Sequence, residues 1–262
     1  MKKIAISLLY HNDEHYLTPC IESLINSDIS NYDFKFFVYD NASADSWKDI
    51  YELNEWSFPQ YNYRAIENQG IVKPRIHLFE EIKSQNYDYL LEIHSDMLFP
   101  SDWFEELKSI MDEEIFIVQP FIYQPPKDKI LTTFDCTKLK IYNNPKKIYH
   151  KCRQVHPWLI NLSLIERVGG YYDSEFSPYV FEDDDLVIRA FNKGYDIKST
   201  NKSIVIHYGG ATRPMNIGEF WDIHIAKWQG KHNTEFLPYE KEYQVKRFDF
   251  HPIILKEADN YE

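Results

Sequence analysis

The sequence predicts an α/β fold, with a mostly parallel central sheet flanked by helices, and two observations carry that reading. Short apolar runs alternate with amphipathic stretches through the first half of the chain, and polar residues gather where each run ends. Strand, helix, strand, helix in that order means parallel pairing, with the intervening helices laid over the sheet.

The first run, Ile4-Ala5-Ile6-Ser7-Leu8-Leu9, reads as a buried strand. Tyr16, Leu17, Cys20, Ile21, Leu24 and Ile25 then recur at helical spacing and give one apolar stripe. Phe34 to Tyr39 is predicted as the second strand, closing on Asp40-Asn41-Ala42-Ser43, a loop and cap composition. Asp45 to Trp56 reads as a helix and Tyr61 to Ile66 as the third strand. Asn68-Gln69-Gly70 breaks the pattern, a helix carries Ile76, Phe79 and Ile82, and Tyr87 to Ile93 is the fourth strand. Sheets of this kind bind ligands outside the carboxyl ends of their strands, which directs attention to the loops after Leu9, Tyr39, Ile66 and Ile93.

The second half is less regular. Phe104 to Met111 reads as a helix and Ile115 to Gln119 as a strand, while residues 121–154 mix Pro, Lys and Tyr in expected hairpins and loops. Glu182 to Lys193 is a predicted helix stopped by Gly194, and Ser203 to Ile206 a short strand. Ile217, Phe220, Trp221, His224, Ile225 and Trp228 mark an amphipathic helix. The expected organisation is one domain over residues 1–215, with residues 216–262 forming a helical extension and a polar tail packed on it. A length of 262 residues fits one large α/β domain.

Hydrophobic residues at 44% and charged residues at 27% are ordinary for a soluble globular protein. A formal net charge of -12 argues against nucleic acid as a partner, and a phosphate-bearing ligand would need a metal or local cations to offset it. Aromatics reach 16%, and such side chains serve cores and sugar-binding surfaces alike. No apolar run approaches the ~20 residues of a membrane helix. Met1-Lys2-Lys3 and its apolar stretch lack a signal-peptide cleavage site. The expectation is a cytoplasmic protein with no transmembrane segment, the helix around Trp221 and Trp228 being the place for any peripheral membrane contact. Cys20, Cys136 and Cys152 give neither a disulfide framework nor paired metal-ligand spacing.

Two constellations carry chemistry. In His94-Ser95-Asp96, residues two apart share a side of an extended segment, and His207 closes another predicted strand. Asp96 with His94 or His207 would hold a divalent cation, and oxygen with imidazole suits Mn²⁺ better than Ca²⁺. A satisfied polar strand end is the plainer alternative. Glu182-Asp183-Asp184-Asp185 stands at a helix start, where the dipole and free amides favour carboxylates. Its place between Phe181 and Leu186-Val187-Ile188 also suits a general base in a partly apolar setting. His94, Asp96 and His207 equally fit the two-histidine, one-carboxylate triad of non-haem iron oxygenases, with Arg213 on an oxo-acid. That chemistry usually sits in a jelly-roll barrel, which the helix-rich first half opposes.

Taken in order, these motifs resemble the inverting glycosyltransferases of family 2, from Ile4 to about Gly210. The resemblance implies a GT-A-like fold, with a Rossmann-like nucleotide-binding half and an acceptor-binding half. Ile4 to Asn12 is similar to the opening strand and polar loop, which puts Leu9, Tyr10 and Asn12 by the donor nucleoside; Leu9 stands where the family often has Pro. Val38-Tyr39-Asp40-Asn41-Ala42-Ser43 resembles the motif whose Asp, here Asp40, contacts the base or ribose. Asn68-Gln69-Gly70 with Arg75 resembles the Asn-X-Gly segment and its Arg. Tyr89 to Pro100, then Asp102-Trp103, resembles the Asp-X-Asp strand. Asp96 matches the metal-binding carboxylate, His94 replaces the first Asp, and Ser95 between them falls at the donor.

Val168-Gly169-Gly170-Tyr171 looks like a turn of the family. Phe181-Glu182-Asp183-Asp184-Asp185-Leu186, with Arg189 and Gly194-Tyr195, is similar to its Glu-Asp motif, the most specific match. By this resemblance Asp183 is the catalytic base, and Asp96, His207 and His94 hold Mn²⁺ or Mg²⁺. The implied reaction moves a sugar from a nucleotide-sugar donor to a hydroxyl of a glycan or other acceptor, with inversion, as in polysaccharide biosynthesis. Trp158, Tyr172 and Tyr179 are candidates for stacking on the acceptor, with core packing the alternative. A nucleotidyltransferase would need a Gly-rich loop after the first strand, and none follows Leu9 in a chain with eight glycines. A non-catalytic module binding nucleotide-sugar or glycan on the same fold remains open, made plausible by His94.

Overall fold

The structure, a computed structural model, describes residues 2–123, 140–141, 156–208, 217–232 and 255–256. The expected hairpins of 121–154, Arg213 and the polar tail fall largely outside these residues. The short antiparallel pair β7 (Lys140–Ile141) and β10 (Leu255–Lys256) is described.

The first half forms β1 (Lys3–Tyr10), α1 (Glu14–Ile25), β2 (Asp33–Asp40), α2 (Trp47–Leu53), β3 (Gln60–Arg64), α3 (Val72–Lys83) and β4 (Tyr89–His94). β1 lies between β2 and β4, parallel to both, with Leu9 opposite Tyr39 on one side and His94 on the other. β5 (Met97–Leu98), α4 (Trp103–Lys108), β6 (Ile115–Tyr123), β8 (Trp158–Asn161), α5 (Glu182–Asn192), β9 (Asp196–His207) and α6 (Ile217–His232) follow. One 8-stranded sheet results, in the order β3-β2-β1-β4-β8-β6-β9-β5. Its first four strands are parallel, β8 runs against β4 and β6, and β9 runs parallel to β6.

Helices cover both faces. Ile4, Ile6 and Leu8 of β1 pack with Leu17 and Ile21 of α1, Trp47 of α2 and Phe104 of α4. Ala5 points the other way, into a core shared with Leu78 of α3, Leu186 of α5 and Trp228 of α6. Burial on both faces explains why β1 reads as a continuous apolar run rather than an alternating one. Among the described residues, no helix is long and apolar enough to cross a membrane.

Several bounds differ from expectation. α2 is confined to Trp47–Leu53, opened by Ser46, whose hydroxyl accepts from the Asp49 amide. β3 ends at Arg64 and leaves Ile66 fully in solvent. β6 runs past Gln119 to Tyr123, and β9 spans Asp196–His207 rather than the four residues expected. The cause is an irregularity after Pro120, where the β6–β9 register shifts. A proline cannot donate to the ladder, and a bulge accommodates it. The polar Asn201-Lys202 falls in that bulge, which hid the strand's continuity.

Candidate active site

The sheet brings His94, Asp96 and His207 together. β4 ends at His94, the chain turns through Ser95 and Asp96, and β5 pairs antiparallel with the end of β9, Met97 opposite His207. The Tyr208 amide donates to the Asp96 carbonyl at 3.0 Å, which fixes the two strand ends together. His207 Nε2 then lies 3.1 Å from Asp96 Oδ1 and 3.4 Å from His94 Nδ1. One ligand atom from each residue lies within 4.8 Å of the others. Asp96 and His207 are buried and His94 half-buried. Two imidazoles and a carboxylate at this spacing fit a first-row divalent cation such as Mn²⁺. Among the described residues His207 Nδ1 is buried without a hydrogen-bond partner, while the Asp96 carboxylate, which can only accept, faces Nε2.

Ser95 turns away from this cluster and donates its hydroxyl to Asp13, at the start of α1. Of the other residues assigned to the donor, Leu9 and Tyr10 end β1, Asp40 ends β2, Asn12 and Asn68 lie on the loops after β1 and β3, and Arg75 lies inside α3. The Asn12 amide donates to Ser43 Oγ at 3.1 Å, and its side-chain oxygen accepts from the Ala44 amide at 2.7 Å. Asp40 accepts from the Ser43 amide at 2.8 Å and the Trp47 amide at 3.2 Å, so its carboxylate shapes the turn into α2. Tyr10 is buried, its hydroxyl donating to the Asp45 carbonyl at 3.1 Å, and Leu9 packs on the α3-side core. Asn68 accepts from Asn41 Nδ2 at 3.0 Å and from the Gly70 amide at 2.9 Å. Asn41 also receives the Gln69 amide at 2.8 Å, so it stitches the two loops.

Arg75 does not reach a loop surface. It is 1% exposed and donates to Ser7 O and Oγ, each at 3.0 Å, and to Ile93 O at 2.8 Å. Its Nε lies 3.2 Å from Glu92 Oε1. Glu92, inside β4, also takes the Tyr172 hydroxyl at 2.9 Å, the Tyr171 hydroxyl, and His156 Nε2 at 3.0 Å. Burial alone would raise the Glu92 pKa, but the Arg75 guanidinium and His156 outweigh it and hold the carboxyl at about 2.

Asp183 lies at the far end of this network. It is half-buried in the first turn of α5, preceded by Val180 and Phe181 in left-handed conformations with φ 68° and 70°. Burial, then the Glu92 charge, raises its pKa, while His156, the Tyr172 hydroxyl and Arg75 pull it down. The His156 ring stacks on His94 at 4.5 Å and on Trp158 at 4.4 Å. A chain of contacts therefore runs from the histidine–aspartate cluster through His94, His156 and Tyr172 to Asp183. Trp158 is fully buried, donating its indole N–H to Gln119 at 3.1 Å, and Tyr172 is buried too, so these aromatics pack the site's floor rather than face an acceptor. Tyr179 remains half-buried.

Sequence reasoning missed Glu92, His156, Asn41 and Asp13. A charged residue inside the apolar run Tyr89 to Ile93 was a readable sign of a buried partner, since such groups are rarely buried unpaired. His156 carried no local signal.

The sequence model of a family described as Glycosyl transferase family 2 matches residues 6–158. Among curated protein sequences, none matches significantly. Among solved structures, S. aureus TarS is similar at a TM-score of 0.62 and 16% identity, over 95% of this chain but only 43% of TarS. TarS residues 1-349 in complex with UDP-GlcNAc give 0.60 at 16% identity, covering 95% and 71%. GalNAc-T7 with UDP, GalNAc and Mn²⁺ gives 0.64 at 13% identity, covering 94% and 58%. These likenesses show a common GT-A fold.

Proposed function

The chain belongs to glycosyl transferase family 2, and from that premise we propose that it transfers a sugar from a nucleoside diphosphate-sugar to an acceptor hydroxyl, with inversion and divalent-metal assistance. The observation that carries the proposal is the contact chain joining His94, Asp96 and His207 to Asp183 through His156 and Tyr172. TarS and GalNAc-T7 were solved with UDP or a UDP-sugar, which makes uridine diphosphate the first donor nucleotide to test. The acceptor in this reading is a glycan or another hydroxyl compound, and the setting the cytosol.

Asp183 receives the proton of the acceptor hydroxyl as that oxygen attacks the anomeric carbon. The new C–O bond forms opposite the breaking bond to the diphosphate, so the configuration inverts. Asp96, His207 and His94 would hold the cation, Mn²⁺ suiting the donor set better than Mg²⁺. When bound, it supplies Lewis-acid stabilisation of the departing diphosphate's charge. Asn12, Asn41 and Asn68 shape the loops around the nucleoside, with Asp40 bracing the turn beneath. The same three ligands on an iron oxygenase would ordinarily sit in a jelly roll, whereas here they lie at strand ends of a mixed α/β sheet flanked by helices.

A thermal-shift screen of UDP-, GDP-, dTDP- and CMP-sugars with Mn²⁺ identifies the donor. With that donor, Asp183→Asn is expected to lose about 10²–10⁴ in transfer rate while still binding donor. Asp96→Ala is expected to abolish the Mn²⁺-dependent part of donor binding by calorimetry. Near-normal turnover of the first, or unchanged donor affinity of the second, removes the corresponding role.

A further inference from the structure

We propose that α6 is a working part of the active site, its last turn positioning Asp183 through Lys231 and His232, which grip Asp185. The inference rests on the reading of Asp183 as the base.

The segment entering α5 does not hold itself in place. Val180 and Phe181 are both left-handed, with φ 68° and 70°, a conformation that strains residues bearing a Cβ. Among the described residues, no side chain caps the start of the helix by a hydrogen bond. Such a conformation persists only where its surroundings over-determine it. On one side the amides of Ile71 and Val72 donate to the Pro178 carbonyl at 2.8 and 3.3 Å.

The other side is α6. His224 Nδ1 donates to the Tyr179 carbonyl at 2.6 Å, Lys227 to the Glu175 carbonyl at 2.9 Å, and Lys231 to Asp173 at 2.6 Å. Trp228 is buried, its ring 6.4 Å from that of Phe181.

The decisive joint is Asp185, two residues beyond Asp183 and wholly buried. Its Oδ1 meets Lys231 Nζ at 2.7 Å and His232 Nε2 at 2.9 Å. Its Oδ2 takes Arg189 Nε at 2.8 Å, and Arg189 also donates to the carbonyls of Val168, Gly170 and Tyr171. Removing a cationic partner from a buried carboxylate leaves its charge less compensated and weakens whatever that pairing holds in place. One carboxylate thus pins three pieces together: the turn that carries Tyr172, the helix that carries Asp183, and α6. The ion pairs of Lys231 end on Asp173 and Asp185 and the His232 ring hydrogen-bonds Asp185, so both act on Asp183 through other residues and are positioning residues.

The test uses the full chain. Lys231→Met removes the cation at a partly exposed site, and Lys231→Arg keeps it. Since misplacement of about 1 Å can cost 10²-fold, Lys231→Met should lower kcat about 10-fold or more. Donor KM and calorimetric donor affinity should stay near wild type, and Lys231→Arg should recover most of the rate. Asp185→Asn should show the same split more strongly; if it does not fold, the Lys231 pair still decides. Unchanged kcat in Lys231→Met overturns the inference, as does a fall in kcat matched by the loss of donor-binding sites. Asp183→Asn in the same assay separates the two claims. If it loses turnover while Lys231→Met keeps it, only the role of α6 fails; if it keeps turnover, the assignment of the base fails and this inference with it.

Discussion

Glu182 and Asp183 are neighbours on α5, yet burial treats them differently. Glu182 is buried, its Oε2 has no hydrogen-bond partner among the described residues, and burial followed by the Asp183 charge pushes its carboxyl well above the usual range. Asp183 is less enclosed, and His156, Tyr172 and Arg75 offset part of its rise. Burial therefore favours the neutral carboxyl more strongly at Glu182 than at Asp183. For a neutral carboxyl, glutamine is close to an isostere, so Glu182→Gln should keep turnover within about tenfold where Asp183→Asn loses about 10²–10⁴. A base acts in its ionised form, so kcat/KM should fall as pH drops through the raised Asp183 pKa. The acidic limb of the pH–rate profile should accordingly lie above the ordinary aspartate value of 3.8. A limb at or below that value would contradict the assignment. Asp183 was legible in the sequence because the carboxylate run beside Phe181 is a local pattern. Its chemical difference from Glu182 was not, because burial of the two side chains depends on Trp228, Tyr172 and Glu92 arriving from elsewhere.

At the scale of elements, the donor-side loop meets the base-bearing loop at Pro178, which Gly70 faces and to whose carbonyl the Ile71 and Val72 amides donate. Gly70 has φ +80°, and a Cβ there would lie 2.5 Å from Pro178 Cβ and 2.6 Å from its carbonyl oxygen. Gly70→Ala must either strain its own backbone or push the 178–181 segment away, at about 1–3 kcal/mol. We expect that loss in urea unfolding, together with lower kcat, because the displaced segment leads into Asp183. Wild-type stability and rate in Gly70→Ala would show that the two loops are not coupled there. The break at Asn68-Gln69-Gly70 was visible in the sequence, but its contact with a segment more than a hundred positions away was not. β1 and α1 were readable because their partners impose a regular apolar period. β9 was cut short because Pro120, on a neighbouring strand, forces a bulge that only pairing reveals.

Across the whole molecule, Glu92 and Arg75 tie β1, α3 and β4 together and support the aromatic floor of the site. The folded state holds Glu92 at about 2 against an ordinary glutamate value of 4.5. A depressed carboxylate pKa contributes stability that is complete above the unfolded value and is lost as pH falls through the folded one. The urea midpoint should therefore decline between pH 4.5 and about 2, and Glu92→Gln should flatten that part of the decline. At neutral pH the same substitution leaves the Arg75 charge without its counter-ion, a loss of about 3–5 kcal/mol. An unchanged urea midpoint in Glu92→Gln would show that the pair does not carry the fold. By itself the sequence determined the order of strands and helices, the α/β class and the loops that bear chemistry, since periodicity and turn composition act between near neighbours. Only the tertiary structure decided that His207 meets His94 across 113 positions, and that His156 bridges that cluster to Asp183. Those meetings follow from strand register, which no local stretch of chain encodes.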